Sequence, residues 1–149
     1  MLEQKLEQDL KTAMLAGDSE RVMTLRNMKS ALLNVKVASG KRETGLSDDE
    51  VLPILSKEAK KRQESADFYV QGGSQDRADK ELSEKSIIEE YLPKQLSTEE
   101  ITAIVEEVIA ALGASGPSAM GQVMGQVKAK TGSKADGSIV AKIVKEKLA

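Results

Sequence analysis

The sequence predicts an all-α protein with a four-helix N-terminal lobe, residues 1–93, and a three-helix C-terminal lobe, residues 94–149. Three observations support this fold class. Apolar residues recur every three or four positions along most of the chain, which is the period of one face of an α-helix. Residues that start and stop helices separate these stretches. No stretch alternates apolar and polar residues in the manner of a half-buried strand.

Four helical stretches make up the N-terminal lobe. The first ends at Gly17, the second ends near Gly40, and the fourth follows the glycine turn at 72–74. The third begins at the capping box 47–50, in which a serine hydroxyl accepts the glutamate amide and the glutamate reaches back. Pro53 predicts a late start or a slight bend in this helix. The apolar stripes of the four helices are Leu2, Leu6, Leu10, Ala13 and Met14; Val22, Leu25, Met28, Leu32 and Val35; Val51, Leu55, Ala59, Ala66 and Val70; and Ala78, Leu82, Ile88 and Tyr91.

Pro93 marks the predicted boundary between the lobes, because proline disfavours helical backbone at the residue before it. Three further helices follow. The first opens with a second capping box at 97–100, and its apolar stripe includes Ile101 and Val105. The next stop and start signals are Gly113, Pro117, Gly132 and Asp136.

The residue types that the chain lacks exclude several classes of function. There is no His and no Cys, which removes Ser/His and Cys/His nucleophile pairs and the usual zinc ligands. The aromatic content of 2% is too low for a base-stacking platform, and a net charge of -2 gives no bulk attraction to polyanions. We therefore expect no cofactor and no metal. With no long apolar run and no secretion signal, we expect a water-soluble, cytoplasmic protein without membrane contact.

Three features of the N-terminal lobe have both a functional and a structural interpretation. Gly40 to Gly45 has the glycine spacing of a P-loop, but the required lysine and preceding strand are missing, so we interpret it as a loop. Adjacent acids such as 48–50 could act in acid–base catalysis, yet acids in a first helical turn ordinarily complement the helix dipole. Arg62 falls within the apolar stripe of the third helix and could contact an anion. We favour an ion pair, with Glu58 as a partner one turn away.

The C-terminal lobe carries the most suggestive charge pattern. Its first helix has four glutamates and no basic residue. The sequence from Pro117 onward has six lysines and only two acidic residues, Asp136 and Glu146. Gly121 and Gly125 lie opposite the apolar stripe of the middle helix, so a partner could approach the backbone closely. Lysines around this glycine face would meet phosphates. Equally, lysines late in a helix complement its dipole, and glycines let another helix pack. The candidate lysines are Lys128, Lys130, Lys134 and Lys142.

Several segments resemble known families. Leu46 to Leu52, Lys60 to Ser65, and Tyr91 to Ser97 resemble the YqeY family. Gly121 to Met124 and Ala135 to Gly137 resemble the tail domain of the B subunit of aspartyl/glutamyl-tRNA amidotransferase. Together, the resemblances cover nearly the whole chain. The Tyr-Leu-Pro-Lys-Gln-Leu run and the Lys-Lys-Arg segment are their most specific parts.

The resemblance implies the same division into four and three helices, and it implies a function in contact with tRNA. We expect a non-catalytic accessory protein that binds tRNA, or a tRNA-modifying or tRNA-charging enzyme complex, through the C-terminal lobe. A label of carbon–nitrogen ligase with glutamine as amido-N-donor would be inherited from the family. The amidase Ser/Lys centre belongs to another subunit, and the phosphorylating cradle of the B subunit has no counterpart here. The alternative is a protein–protein interaction module that docks through the N-terminal lobe or the glycine face.

Overall fold

The computed structural model describes all residues from Met1 to Ala149. It contains seven α-helices and no β-strand, which confirms the predicted all-α fold class. The chain separates into two compact units, Met1–Leu92 and Pro93–Ala149. The helices are α1 (Leu2–Ala16), α2 (Ser19–Ser39), α3 (Asp48–Gln71), α4 (Gln75–Glu89), α5 (Thr98–Leu112), α6 (Met120–Thr131) and α7 (Gly137–Leu148).

Local capping residues set the helix ends of the first unit. Gly17 and Gly40 adopt the left-handed conformation, each with φ of 70°, and terminate α1 and α2 where the sequence predicted. The Ser47 hydroxyl accepts the Glu50 amide at 3.3 Å and starts α3 at Asp48. Pro53 lies inside α3, so the predicted late start is wrong. Its missing N–H removes one helical hydrogen bond, while the cap still satisfies an amide of the first turn.

The core of the first unit lies between α1, α2, α3 and the end of α4. Leu25 is fully buried, and Met28, Leu55 and Ile88 each retain 1% of their exposure. Complete burial of a side chain of this size contributes roughly 1.5–3 kcal/mol. Burial of these residues stabilises the packing of the four helices. The full buried cluster is Leu6, Ala13, Leu25, Met28, Leu32, Leu46, Val51, Leu55, Ala59, Ile88 and Tyr91.

Tyr91 fastens the end of the first unit to α1. Its ring is 5% exposed, its hydroxyl donates a hydrogen bond to the Asp9 carboxylate, and Lys5 Nζ lies 5.1 Å from the ring centroid. Burial raises the pKa of the Tyr91 hydroxyl, and the hydrogen bond to Asp9 raises it further. Next to it, Arg21 and Glu90 form an ion pair at 2.8 Å between α2 and the residue after α4. These contacts therefore join the C-terminal end of the first unit to α1 and α2.

The second unit is a three-helix bundle with well-defined caps. At the start of α5, the Ser97 hydroxyl accepts the Glu100 amide at 3.1 Å, and the Ser97 amide donates to the Glu100 carboxylate at 2.8 Å. Gly113 ends α5 with φ of 60°. The Asp136 carboxylate accepts the Ser138 amide at 2.7 Å and caps α7. The buried core is Ile101, Val105, Val108, Val123, Val127, Val140, Ile143, Val144 and Leu148.

Candidate nucleic-acid interface

Helix α6 exposes the backbone at two glycines. Val123 and Val127 on its other side are fully buried, so the helical period turns Gly121 and Gly125 toward solvent. A Cβ atom added to either glycine would meet nothing within 4 Å. No structural crowding in this unit therefore explains these glycines, and an incoming group could approach the helix backbone there.

The lysines of α6 lie on opposite flanks of the helix. Lys128 and Lys130 are two residues apart, which places them about 200° apart around the helix axis. Lys130 Nζ contacts the Glu107 carboxylate of α5 at 3.0 Å, whereas Lys128 makes no ion pair. The two cations therefore do not form one continuous patch.

The acidic helix α5 neutralises a further lysine. Lys147 Nζ on α7 lies 2.6 Å from the Glu106 carboxylate. The separation into an acidic first helix and basic later helices is thus partly cancelled by contacts between them. Both these α5 glutamates remain more than half exposed, at 56% for Glu106 and 68% for Glu107, so such pairs are worth about 0–1 kcal/mol.

Lys134 lies in a fixed turn between α6 and α7. Its carbonyl oxygen accepts the Leu96 amide at 2.8 Å, and Gln95 Nε2 donates to the Ser133 carbonyl at 3.1 Å. These bonds hold the turn against the segment before α5, while the Lys134 side chain is exposed and makes no ion pair. The Asp136 carboxylate already occupies one amide at the start of α7, so a phosphate at this helix end would compete with it.

Lys142 lies on the solvent face of α7, opposite the buried Val140 and Val144. It makes no ion pair, and Lys145, one turn further along, makes none either. Five exposed lysines of the second unit therefore have no ion pair. They are Lys94, Lys128, Lys134, Lys142 and Lys145.

Arg62 of the first unit is a structural cation, and its predicted partner is wrong. Its Nε atom lies 3.1 Å from the Glu84 carboxylate and 3.8 Å from that of Glu81, both on α4. Glu58 pairs instead with Lys61 at 3.2 Å. The apolar stripe of α3 faces α4, so a cation in that stripe meets side chains of the neighbouring helix. A signal for this pairing was present in the sequence, because Glu84 falls one turn before Ile88 in the apolar stripe of α4.

Glu84 is the most buried carboxylate of the cluster, at 8% exposure. Burial raises the pKa of Glu84, the charge of Glu81 raises it further, and Arg62 opposes both. Among residues 1–149, no three acidic side chains are grouped in a way that could hold a metal ion. None of the seven helices is both long and apolar enough to cross a bilayer.

The fold and these positions define a class of two-unit, all-α protein whose smaller unit carries unpaired lysines and two exposed glycines on α6. A family model described as Yqey-like protein matches residues 3–148. The chain therefore belongs to the YqeY family.

Relatives from several yeasts share the name "Altered inheritance of mitochondria protein 41, mitochondrial". The relative from Kluyveromyces lactis is 34% identical over 130 residues, which cover 85% of this chain and 69% of the relative. The relative from Vanderwaltozyma polyspora is 33% identical over 106 residues, which cover 70% of this chain and 56% of the relative. The relative from Eremothecium gossypii is 34% identical over 87 residues, which cover 58% of this chain and 46% of the relative. The chain thus spans about half the length of the last two relatives.

These names overturn the expectation of a cytoplasmic location, because the relatives are named as mitochondrial proteins. The composition could not separate the two compartments. A lack of cysteine and of an apolar secretion signal excludes neither, since mitochondrial targeting uses amphipathic, arginine-rich segments.

Proposed function

We propose that this protein is a non-catalytic accessory factor that binds tRNA, or a complex that handles tRNA, through its second unit. The observation that carries the proposal is the set of exposed lysines without acidic partners in the second unit, of which Lys128 lies one turn from Gly125 on α6. In this proposal, Lys128, Lys134 and Lys142 contact phosphates, and Gly121 and Gly125 let the nucleic acid approach closely. Lys130 contributes less, because Glu107 already compensates its charge.

Phosphate contacts by lysine supply affinity without base recognition. This agrees with an aromatic content of 2%, since stacking on bases would need aromatic side chains. Three phosphate contacts predict a log–log salt slope of about -2 to -3. The interaction is therefore expected to be electrostatic, tolerant of RNA sequence, and weak at high salt.

The resemblance of the second unit to the tail domain of the amidotransferase B subunit supports this proposal, because that domain helps to hold tRNA while the chemistry takes place elsewhere. We do not extend the proposal to the amidotransferase reaction. The chain has no His and no Cys, and we propose no carbon–nitrogen ligase activity for it. Release of ammonia from glutamine by the purified chain would contradict this part of the proposal.

Binding of a tRNA mixture to the full chain tests the proposal. Replacing Lys128, Lys134 and Lys142 together by glutamine should weaken binding by at least about tenfold, with little loss of helicity. The control variant changes net charge equally in the first unit, at the exposed and unpaired residues Lys11, Arg42 and Lys57.

We expect the control variant to retain wild-type affinity. Equal losses in the two variants would show that only overall charge matters, and an unaffected lysine variant would refute the proposed contact surface. Binding that survives unchanged at high salt would also contradict it.

A further inference from the structure

Helix α2 carries an exposed stripe of three apolar and two polar residues on the side away from its core. Met23, Arg26, Ser30, Leu33 and Val37 follow one another at alternating intervals of three and four residues, so they share one face. The apolar members are well exposed: Met23 at 53%, Leu33 at 43% and Val37 at 58%. The opposite face of α2 forms the core of the unit. An exposed stripe with this spacing is typical of a surface that receives another helix.

A groove of about 310 Å³ lies beside this stripe, between α1 and α2. Leu6 of α1 and Leu32 of α2 contribute buried apolar side chains to its lining, each 2% exposed, and the exposed Leu33 lies at its edge. This volume is at the lower end of the range for binding pockets, so it fits one or two apolar side chains. Because Leu6 and Leu32 are almost completely covered, Leu33 is the lining residue whose apolar side chain is most available to a docked segment.

The charges around the groove favour an acidic occupant. Two ion pairs join α2 to α1 across it, Lys29 with Glu7 at 3.1 Å and Lys36 with Glu3 at 2.7 Å. Arg26 also lines the groove, is exposed, and has no acidic partner. An acidic residue of a partner could pair with Arg26 without breaking an existing contact. It could also share Lys29, whose ion pair is more than half exposed on both sides, at 52% and 58%.

We propose that the α1–α2 groove docks an acidic amphipathic helix of a partner protein. Apolar residues of that helix pack on Leu33, Val37 and the groove, and its carboxylates meet Arg26 and Lys29. The mode is that of a helix laid into a groove, with anchors at intervals of three and four residues. This surface belongs to the first unit and shares no residue with the lysines of the proposed tRNA contact.

The test uses the full chain and a fluorescent synthetic helix of about 15 residues, with leucines at i, i+3 and i+7 flanked by glutamates. Fluorescence anisotropy measures its binding. One control peptide has the same composition in scrambled order, and another replaces each glutamate with lysine. The groove variants are Arg26→Glu and Leu33→Asp, both at exposed positions. Matched control variants are Arg42→Glu and Val70→Asp, which are exposed and lie outside α1 and α2.

We expect saturable binding of the acidic amphipathic helix only, weakened at least about tenfold by each groove variant and unchanged by the controls. Absence of saturable binding, or equal losses in groove and control variants, would overturn the proposal. Vesicles containing phosphatidylserine supply the competing outcome. If they bind the wild type but not Leu33→Asp, and the peptide does not bind, the stripe is a membrane contact and the proposal fails. Each outcome leaves the tRNA contact surface untested and unchanged, because Lys128, Lys134 and Lys142 lie in the other unit.

Discussion

Replacing Arg62 by methionine removes a guanidinium from beneath two carboxylates while it preserves the apolar stem of the side chain. Arg62 is 18% exposed and Glu84 is 10% exposed at the side chain, so the pair is largely shielded from water. Removing one member of a fully buried pair costs about 3–5 kcal/mol. Because some solvent reaches this pair, we expect the free energy of unfolding of the first unit to fall by about 2–3 kcal/mol.

The destabilisation should depend on pH in a defined direction. The charged groups that act on Glu84 are Glu81 and Lys80 from α4, Arg62 from α3 and Glu20 from α2. The pKa of Glu84 is raised in the folded state, so the folded chain binds more protons than the unfolded chain above pH 4.5. The contribution of Glu84 to the free energy of unfolding therefore increases as the pH falls toward 4.5. Without Arg62, Glu84 protonates more readily, so the loss measured at pH 5 should be smaller than the loss at pH 7.5.

Tyrosine fluorescence during denaturant unfolding measures this loss selectively, because Tyr69 and Tyr91 both lie in the first unit and the chain has no Trp. The matched control is Lys57→Met on the same helix, where the lysine is exposed and makes no ion pair, so this change should cost about 0.5 kcal/mol or less. If Arg62→Met costs no more than this control, the guanidinium is not structural. Its contacts with Glu81 and Glu84 of α4 then do not stabilise the first unit.

Two further predictions concern a tyrosine of the first unit and a glutamate of the second. Tyr91→Phe should lower the free energy of unfolding by about 1.5–2.5 kcal/mol, because its buried hydroxyl donates a hydrogen bond to the Asp9 carboxylate, and circular dichroism during denaturant unfolding checks this. An unchanged midpoint would contradict it. Glu107→Gln should strengthen tRNA binding by about two- to fivefold, because it releases Lys130 and removes a negative charge, and gel-shift titration measures the change. Weaker binding by this variant would be the contrary result.

The helices were predictable because their ends depend on local chemistry. Gly17 and Gly113 end helices through their own backbone conformation, and Ser97 caps α5 through contacts three residues away. Such interactions lie within a single stretch of sequence. The helical period likewise places Gly121 and Gly125 opposite the buried valines of α6, and both glycines are exposed.

The contacts between helices were not predictable in the same way. The pairs Lys130 with Glu107 and Arg62 with Glu84 join residues 23 and 22 positions apart, and they form only because particular helix faces pack together. One sequence offers many charges that could pair at such separations. The groove between α1 and α2 also arises from packing, since its apolar lining comes from two helices. Sequence reasoning therefore identified the charge separation between α5 and the later helices, but it did not identify the ion pairs of Lys130 and Lys147 with α5 that partly cancel this separation.

The salt dependence of tRNA binding is the most direct test of the central claim, because its slope counts the phosphates that the protein neutralises. The measurement compares the full chain with the variant in which Lys128, Lys134 and Lys142 are glutamine. If these three lysines contact phosphates, the slope of log K against log[salt] should become shallower by about 2–3. Identical slopes for the two proteins would contradict the claim, whatever the absolute affinity.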